Sequence, residues 1–272
     1  MKNKGRMVIL AVAVVFTLGF GIMFIYNLHG QIEYAMDARI ARENAAAVHG
    51  IFIEQIELIN VSTATSDQSN LVAQYAAEQP KPFVSPIFEA REAMGNDDIV
   101  AYIHIENTNI SYAILQGHDN NFYLHRDIHG HVNHAGSLFL DYTNRPCFSD
   151  RSSIIYGHNM RNGTKFHDLR YFMMPDFFSA NRYISIMTET EILIYQVFSV
   201  FYTHIDFDYI QTRFDDDDDF MLLVGEMMDR CIHGGTSVNA GDRILVLSTC
   251  TNAGEDDRIV VAGVLRYTLP DS

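Results

Sequence analysis

The stretch Arg243-Ile-Leu-Val-Leu-Ser-Thr-Cys250 is an apolar run that ends in two hydroxyl residues and a thiol. A second such run, Arg258-Ile-Val-Val-Ala-Gly-Val-Leu265, begins with a guanidinium group, and a third, Ile154-Ile-Tyr-Gly-His158, ends in an imidazole. Short runs rich in Val, Ile and Leu and bounded by turn residues predict buried strands. The sequence therefore predicts a nucleophile, a cation and an acid or base at three strand ends.

These three side-chain types have a common chemistry. A thiol, an imidazole and a guanidinium group that converge on one site are the parts needed to cleave an acyl bond through a covalent thioester. Cys250 is the candidate nucleophile, His158 the candidate acid and base, and Arg258 the candidate cation. His158 is chosen from the 12 histidines because it follows a strand directly.

The motif Val246-Leu-Ser-Thr-Cys250, with Arg258 on the next strand, resembles the signature of sortases, the membrane-anchored cysteine transpeptidases of Gram-positive cell surfaces. Two other stretches, Leu115-Gln-Gly-His-Asp-Asn-Asn-Phe-Tyr-Leu124 and Tyr156-Gly-His-Asn-Met160, are most similar to class B of that family. The resemblance extends from about Ile99 to Tyr267. Val246 stands where the motif of the family usually has Thr.

The resemblance implies a reaction. Cys250 would cleave a C-terminal sorting signal of surface proteins after a threonine, and the thioester would pass to an amine of a cell-wall precursor or a pilin subunit. Arg258 would stabilise the oxyanion, and His158 would protonate the departing amine. Class B implies a sorting signal of the Asn-Pro-x-Thr type or a related one. Wall anchoring and pilus assembly both remain open as the biological role. No cofactor is expected.

Four more residues are candidate substrate contacts. Asn120 and Tyr156 match class B positions near the substrate cleft. Ser248 and Thr249 precede the nucleophile, and side chains alternate between the two faces of a strand. One of them is therefore expected to line the site and the other to pack inside.

The predicted fold is mainly β. About eight strand-type runs follow residue 99, with turn residues between them, which indicates a closed or nearly closed barrel. The sortase resemblance implies an eight-stranded barrel with N-terminal helices. A helix is also expected before the cysteine strand, over about Asp216–Arg230, because the acidic run Asp215–Asp219 suits the positive end of a helix dipole.

The N-terminus predicts a membrane anchor. Three basic residues in the first six precede an uncharged stretch, Met7–Tyr26, of roughly the 20 residues that a spanning helix needs. The positive flank predicts a cytoplasmic N-terminus and an extracellular catalytic domain, hence a single-pass protein of the cell membrane. The predicted organisation is a cytoplasmic tail (1–6), a transmembrane anchor (7–28), a helical stalk and linker (29–96) and a catalytic barrel (97–272). For residues 31–79, both a stalk and packing against the barrel are open.

Composition excludes other classes. A formal net charge of −15 over 272 residues argues against nucleic acid as a partner, since phosphate binding needs a clustered basic face. Cys147 and Cys231 lie away from strand ends and are expected to be passive. No metal site is predicted, because the histidine-rich stretch from 118 to 134 contains no cysteine and carries a glycine, with another soon after it.

Two other functions remain open, and only the first uses the same three residues. A membrane-tethered cysteine protease would release its product to water, and a non-enzymatic surface module would bind a haem-type ligand through the histidine-rich stretch. A transpeptidase would transfer the acyl group to an added amine, whereas the protease would not. Ligand binding that survives Cys250→Ala distinguishes the second.

Overall fold

The computed structural model describes the backbone of residues 2–64, 85–250 and 256–269, and the side chains of residues 19–57, 85–249 and 256–269. Its helices are α1 (Lys2–Ala64), α2 (Ile87–Met94), α3 (Pro175–Ala180) and α4 (Asp217–Asp229), with 3-10 segments at Tyr123–His125 and Phe166–Met173. Its strands are β1 (Ile99–His104), β2 (Ser111–Leu115), β3 (Leu138–Leu140), β4 (Ser152–Tyr156), β5 (Tyr183–Met187), β6 (Ile192–His204), β7 (His233–Gly234), β8 (Ile244–Cys250) and β9 (Asp257–Leu269). The chain divides into two compact units, residues 1–40 and 41–272.

Eight of these strands close into a barrel. Their order is β5-β1-β2-β3-β4-β8-β9-β6, and a β5–β6 pairing joins the two ends, while the short strand β7 extends β6 on the outside. Most neighbours are antiparallel, but β2 with β3 and β4 with β8 are parallel. The prediction of an eight-stranded barrel is confirmed. Closure removes the open edges that would otherwise expose unpaired backbone groups.

The barrel strands are buried on both faces, which explains their nearly continuous apolar sequences. In β8, Leu245 and Leu247 belong to the interior cluster, and Val246 belongs to the cluster on the outer face. The interior is filled by branched and aromatic side chains, among them Ile103, Ile114, Leu140, Ile155, Val197 and Val261. Burial of both faces removes the simple alternation of apolar and polar residues along a strand. In the sequence, these strands are therefore recognised by their length and composition.

Part of α1 packs against the outer face of the barrel. Within the second unit, Val48, Phe52 and Ile56 share an apolar cluster with residues of β1, β2, β5 and β6. The Phe52 ring stacks on Tyr102 with a centroid distance of 4.2 Å and an interplanar angle of 7°. Of the two alternatives open for residues 31–79, packing therefore holds for this part of α1. Residues 65–84 of the predicted stalk and linker lie outside the described residues.

A polar network joins α1 to β1 and β2 beside that stack. The His49 Nδ1 atom lies 3.0 Å from both the Tyr102 hydroxyl and the Ser111 hydroxyl. Ser111 also lies 2.8 Å from the Tyr102 hydroxyl and 3.1 Å from His104 Nδ1. Burial, and then the neighbouring His49, lower the pKa of His104 to about 4. The interface between the helix and the barrel therefore holds a neutral histidine.

Helix α4 covers another outer face, against β6, β8 and β9, and confirms the predicted helix before the cysteine strand. Its apolar side chains Phe220, Leu223, Val224 and Met227 are buried in one cluster with residues of those strands. Asp216 is its N-cap, because a carboxylate oxygen of this residue accepts a hydrogen bond of 2.9 Å from Asp219 N. The acidic run thus begins the helix where negative charge is stabilising.

The first unit contains the N-terminal part of α1. Across the described residues, no helix combines the length and the hydropathy that crossing a membrane requires. Of the predicted membrane anchor, residues 7–28, the side chains of residues 7–18 lie outside the described residues.

Candidate active site

The register of three adjacent strands brings the predicted catalytic residues to one end of the barrel. Strand β4 runs parallel to β8 with Tyr156 beside Ser248, and Gly157 N donates to Ser248 O at 3.2 Å. Continuing that register by two residues places His158 level with Cys250. On the other side of β8, Cys250 pairs directly with Arg258 of β9. Since neighbouring strands lie about 4.8 Å apart, the three backbone positions are close neighbours.

Gly157 makes the approach of the histidine segment to the barrel possible. A Cβ atom at this position would lie 2.7 Å from Leu138 Cδ2 and 2.8 Å from Phe166 Cδ2. Any side chain would therefore push this segment outward. Phe166 N donates to the His158 carbonyl oxygen at 2.9 Å, which fastens the loop that follows the histidine.

The His158 ring is fixed by a backbone group. Its Nε2 atom lies 2.7 Å from the Leu124 carbonyl oxygen. A carbonyl oxygen only accepts hydrogen bonds, so Nε2 carries a proton and Nδ1 is left to exchange one. Burial lowers the pKa of His158, and the nearby His125 and Lys165 lower it further, while the bond to Leu124 acts in the opposite direction. The neutral imidazole is therefore favoured.

His158 and Arg258 line one cavity of about 530 Å³. Its walls contain the four predicted substrate contacts and residues of three loops, and the full set is Asn120, Leu124, Phe139, Tyr156, Gly157, His158, Ile205, Phe207, Asp208, Tyr209, Ile210, Ser248, Thr249 and Arg258. Arg258 supplies a positive charge to this cavity, and its Nη1 atom donates to the carbonyl oxygen of Asp257 at 3.1 Å. The cavity is mainly apolar, with polar groups that could orient an extended peptide.

The candidate contacts Asn120 and Tyr156 share a buried partner. Asp141 Oδ2 accepts from Asn120 Nδ2 at 2.8 Å and from the Tyr156 hydroxyl at 3.0 Å. Burial raises the pKa of Tyr156, and the Asp141 carboxylate raises it further. The phenol therefore keeps its proton and donates it to Asp141.

The two residues before the nucleophile differ in their surroundings. The Ser248 hydroxyl lies 2.7 Å from the hydroxyl of Tyr209, which belongs to the loop after β6. Thr249 is 2% exposed, and its Oγ1 atom has no hydrogen-bond partner among the described residues. Both residues line the cavity. The Ser248 hydroxyl anchors the loop of Tyr209, whereas the Thr249 hydroxyl is buried away from solvent.

The remaining cysteines and histidines lie elsewhere. Cys147 is exposed, Cys231 is half-buried, and both are free thiols. The ring centroid of His125 lies 6.1 Å from that of His158. Within the described ranges, no group of three or more His, Cys, Asp or Glu side chains is arranged to hold a metal ion.

Sequence reasoning missed several residues of the cavity. Ile205, Phe207, Asp208, Tyr209 and Ile210 come from the loop after β6. An aromatic-rich loop before an acidic helix cap was visible in the sequence, but nothing in it indicated which side of the barrel the loop covers. The Leu124 carbonyl oxygen is a backbone group and has no sequence signal.

Comparisons with known proteins agree with this geometry. Residues 103–266 match the family model described as Sortase domain, which is more than half of the chain. The chain belongs to the sortase family. Sortase B of Listeria monocytogenes serovar 1/2a (strain ATCC BAA-679 / EGD-e) is 38% identical over 176 residues, which are 62% of this chain and 70% of that protein.

Solved structures place this sortase in class B. The Staphylococcus aureus sortase B–substrate complex superposes with a TM-score of 0.69 at 28% identity, covering 85% of this chain and 98% of that chain. Clostridium perfringens sortase B superposes with a TM-score of 0.62 at 32% identity, covering 66% and 100% of the two chains. The resemblance to class B is thus confirmed, and this sortase is a cysteine transpeptidase.

Proposed function

We propose that this sortase cleaves a C-terminal sorting signal of surface proteins after a threonine and transfers the acyl group to an amine. The observation that carries the proposal is that Cys250 pairs with Arg258 across β8 and β9, and that His158, two residues after the paired strand β4, lines one cavity with Arg258. The Staphylococcus aureus relative was solved as a substrate complex, which supports a peptide substrate that carries a sorting signal as the ligand. The acceptor is a cell-wall precursor or a pilin subunit.

The first half-reaction forms the thioester. His158 takes the proton of the Cys250 thiol, and the resulting thiolate attacks the threonine carbonyl carbon. The oxyanion formed in this attack accepts hydrogen bonds from the Arg258 guanidinium. As the carbon–nitrogen bond breaks, His158 gives a proton to the departing amine. One preorganised donor to an oxyanion typically lowers the barrier by about 3 kcal/mol, a rate factor of roughly a hundred.

The second half-reaction resolves the thioester. The acceptor amine attacks the acyl carbon, the neutral His158 takes its proton, and the Cys250 thiolate leaves. The lowered pKa of His158 suits this step, because the neutral imidazole is the form that accepts a proton.

The test uses the full chain in detergent, a panel of Asn-Pro-x-Thr-type peptides and mass spectrometry. Each peptide is incubated with and without triglycine, and Cys250→Ala is the matched control. Amide product from the wild type and none from the variant is the expected result. Cleavage to the free acid alone, whatever the amine concentration, would instead make the chain a protease, and no turnover of any peptide would reject the proposed signal.

The proposed location is the cell membrane of a Gram-positive envelope, with the N-terminus in the cytoplasm and the barrel outside. The apolar stretch Met7–Tyr26 and its basic flank support an anchor, and the side chains of Phe20, Phe24 and Tyr26 are exposed on the helix. Such side chains gain from burial in lipid.

The anchor is tested by membrane extraction. Replacing Val14 and Val15 with Arg should release the protein from sedimented membranes at alkaline pH, since each charge at the centre of a span costs about 3 kcal/mol. Ile32→Arg, outside the apolar stretch, is the control. Retention of the double variant would contradict the anchor.

A further inference from the structure

Lys165 is a buried cation that takes no part in the proposed reaction. It ends the histidine loop, residues 159–165, which follows His158, and it is 7% exposed. Its Nζ atom lies 5.3 Å from the centroid of the Tyr112 ring. Burial lowers the pKa of Lys165 to about 8, and the Asp127 carboxylate acts in the opposite direction. A lysine is seldom buried without a role, because the loss of its hydration is costly.

The backbone of Lys165 is held in an unfavourable conformation. Its φ is 60°, in the left-handed region that residues with a side chain rarely adopt. Its N–H group donates to the Tyr112 hydroxyl at 3.0 Å, and its backbone bridges to that of Asn159. The next residue, Phe166, donates from its N–H group to the His158 carbonyl oxygen. Strained residues persist where their surroundings hold them, so these contacts close the histidine loop behind His158.

One segment of α1, residues 41–48, packs on the histidine loop. Arg42 Nη2 donates to the Asn162 carbonyl oxygen at 3.3 Å. Ala41 and Met160 belong to one small apolar cluster. The helix therefore contacts the loop through both its backbone and its side chains.

The same segment of α1 restricts the space around the Lys165 side chain. A cavity of about 30 Å³ has walls that include Ala45 of the helix, Tyr112 of β2, Asp127 and Lys165. This volume is too small for a further long side chain, which would have to displace its neighbours. Lys165 is thus held between the barrel and the helix.

Lys165 also acts on His158 through its charge. Burial is the main cause that lowers the pKa of His158, and the positive charges of His125 and Lys165 add to it. The groups that act on Lys165 itself are the Asp127 carboxylate and the face of the Tyr112 ring. A change at Lys165 is therefore measurable in the titration of His158.

We propose that Lys165 is a positioning residue for His158, and that residues 41–48 of α1 hold it in place. Lys165 and this helical segment do not line the cavity of about 530 Å³, so they act on the histidine and not on substrate binding. Loss of their contact lets the histidine loop move and misaligns proton transfer at His158. The inference rests on the proposed function for the role of His158.

The kinetic test uses the full-length protein in detergent, with an Asn-Pro-x-Thr-type peptide and triglycine. Lys165→Gly removes the side chain but keeps the backbone conformation, because glycine adopts a positive φ freely. It should lower kcat about tenfold and change KM by less than about twofold. Lys165→Met keeps an unbranched side chain beneath α1 and should restore kcat to within about threefold of the wild type.

Matched substitutions in α1 test the contact from the side of the helix. Ala45→Arg forces a long cation into the small cavity beside Lys165 and should lower kcat about tenfold. Ala46→Arg places the same side chain one residue further along, at an exposed position, and should leave kcat unchanged.

NMR of His158 in the Cys250→Ala background gives a measurement that needs no turnover. The Nε2 proton bonded to the Leu124 carbonyl oxygen should be protected from exchange, and Lys165→Gly should remove that protection. Lys165→Met should raise the midpoint of the imidazole titration, because it removes a positive charge. Arg161→Met is the control and should change neither, since Arg161 is exposed and is not among the groups that shift this pKa.

Three results would overturn the inference: a kcat of Lys165→Gly within about twofold of the wild type, equal kcat of Ala45→Arg and Ala46→Arg, or unchanged His158 signals in both Lys165 variants. A merely structural role of Lys165 predicts a lower melting temperature with an unchanged kcat and titration midpoint. If Lys165→Gly fails to fold by circular dichroism, the His158 midpoint in Lys165→Met decides. A wild type that transfers no peptide while the NMR changes appear would reject only the proposed function.

Discussion

The His158 imidazole donates from Nε2 to the Leu124 carbonyl oxygen across 2.7 Å. This bond fixes the tautomer of the neutral ring and leaves Nδ1 for proton exchange. Burial and the neighbouring His125 and Lys165 lower the pKa of the same ring. Burial and two nearby basic side chains thus favour a neutral base at the end of β4, and the bond to Leu124 selects its tautomer.

The first prediction concerns the titration of His158. In Cys250→Ala, its imidazole should titrate in an NMR experiment with a midpoint below the ordinary value of about 6.5. His125→Gln removes one neighbouring positive charge and should raise that midpoint. His118→Gln, which replaces an exposed histidine beside Asp119, is the control and should leave it unchanged. A His158 midpoint above that of a free histidine would contradict the role of burial.

The second prediction concerns Gly157. Gly157→Ala places a methyl group within 2.8 Å of Leu138 and Phe166, so the segment that carries His158 must move. Overpacking of this kind costs about 1–3 kcal/mol of unfolding free energy. We expect that loss in chemical denaturation and at least a roughly tenfold fall in kcat, since a displaced acid and base is poorly aligned.

The control for Gly157→Ala is Gly225→Ala in α4. Among the described residues, no atom outside the local helix backbone lies within 4 Å of a Cβ built at Gly225. Alanine in a helix interior is more stable than glycine by about 0.5–1 kcal/mol, so this variant should be slightly stabilised with unchanged activity. If Gly157→Ala and Gly225→Ala had the same stability and the same kcat, the steric role of Gly157 would be rejected.

The local sequence was sufficient to predict which reactive residues stand at strand ends. It was insufficient to predict which other residues line the cavity. Cys250 and Arg258 pair on adjacent strands, and the apolar runs on both sides indicate those strands. Tyr209 and Leu124 reach the site only because the barrel closes, and Leu124 contributes a main-chain oxygen that every residue has. The sequence pattern therefore predicts the reactive groups, while their orientation depends on contacts between distant segments.

The packing of α1 was undecided for the same reason. Helical spacing in residues 31–57 indicates an apolar face, but a stalk and a docked helix both have one. Phe52 is fully buried against Tyr102, a residue of β1 whose hydroxyl also joins the polar network. Only the fold reveals that complementary surface.

The third prediction concerns Arg258. Arg258→Lys keeps the charge but replaces a planar fork of donors with a compact ammonium group. We expect kcat for transfer to fall about a hundredfold, as for loss of an oxyanion donor, with an unchanged melting temperature. Arg266→Lys on the same strand is the control, because Arg266 pairs with Asp242 and Gln196 away from the cavity. Full activity of the Arg258→Lys enzyme would exclude the guanidinium from oxyanion stabilisation.

The fourth prediction tests whether residues 41–57 of α1 are part of the folded barrel unit. Phe52→Ala removes a buried ring that stacks on Tyr102, and such a truncation costs about 3–5 kcal/mol. Ile53→Ala, one position along the helix and 47% exposed, should change stability by less than about 0.5 kcal/mol. Both are measured by denaturant unfolding monitored through barrel tyrosine fluorescence. Equal stability of the two variants would mean that the helix unfolds independently of the barrel.

The fifth prediction follows from the neutral His104 at the same interface. Its pKa in the folded protein is about 4, and in the unfolded chain it is near 6.5. Between these values the unfolded chain binds more protons, so the free energy of unfolding must decrease as the pH falls from about 6.5 to about 4. This one group contributes at most about 3 kcal/mol to that decrease. Above about pH 6.5 its contribution is constant.

His104→Asn isolates that contribution, because asparagine can keep a hydrogen bond to Ser111 and does not titrate. Stability measured from about pH 4 to about pH 8 should depend less on pH in this variant than in the wild type. His204→Gln is the control, since His204 is exposed and pairs with Asp206 at the surface. If His104→Asn and the wild type lose stability in parallel on acidification, the protons are taken up elsewhere and the interface between α1 and the barrel does not sense pH.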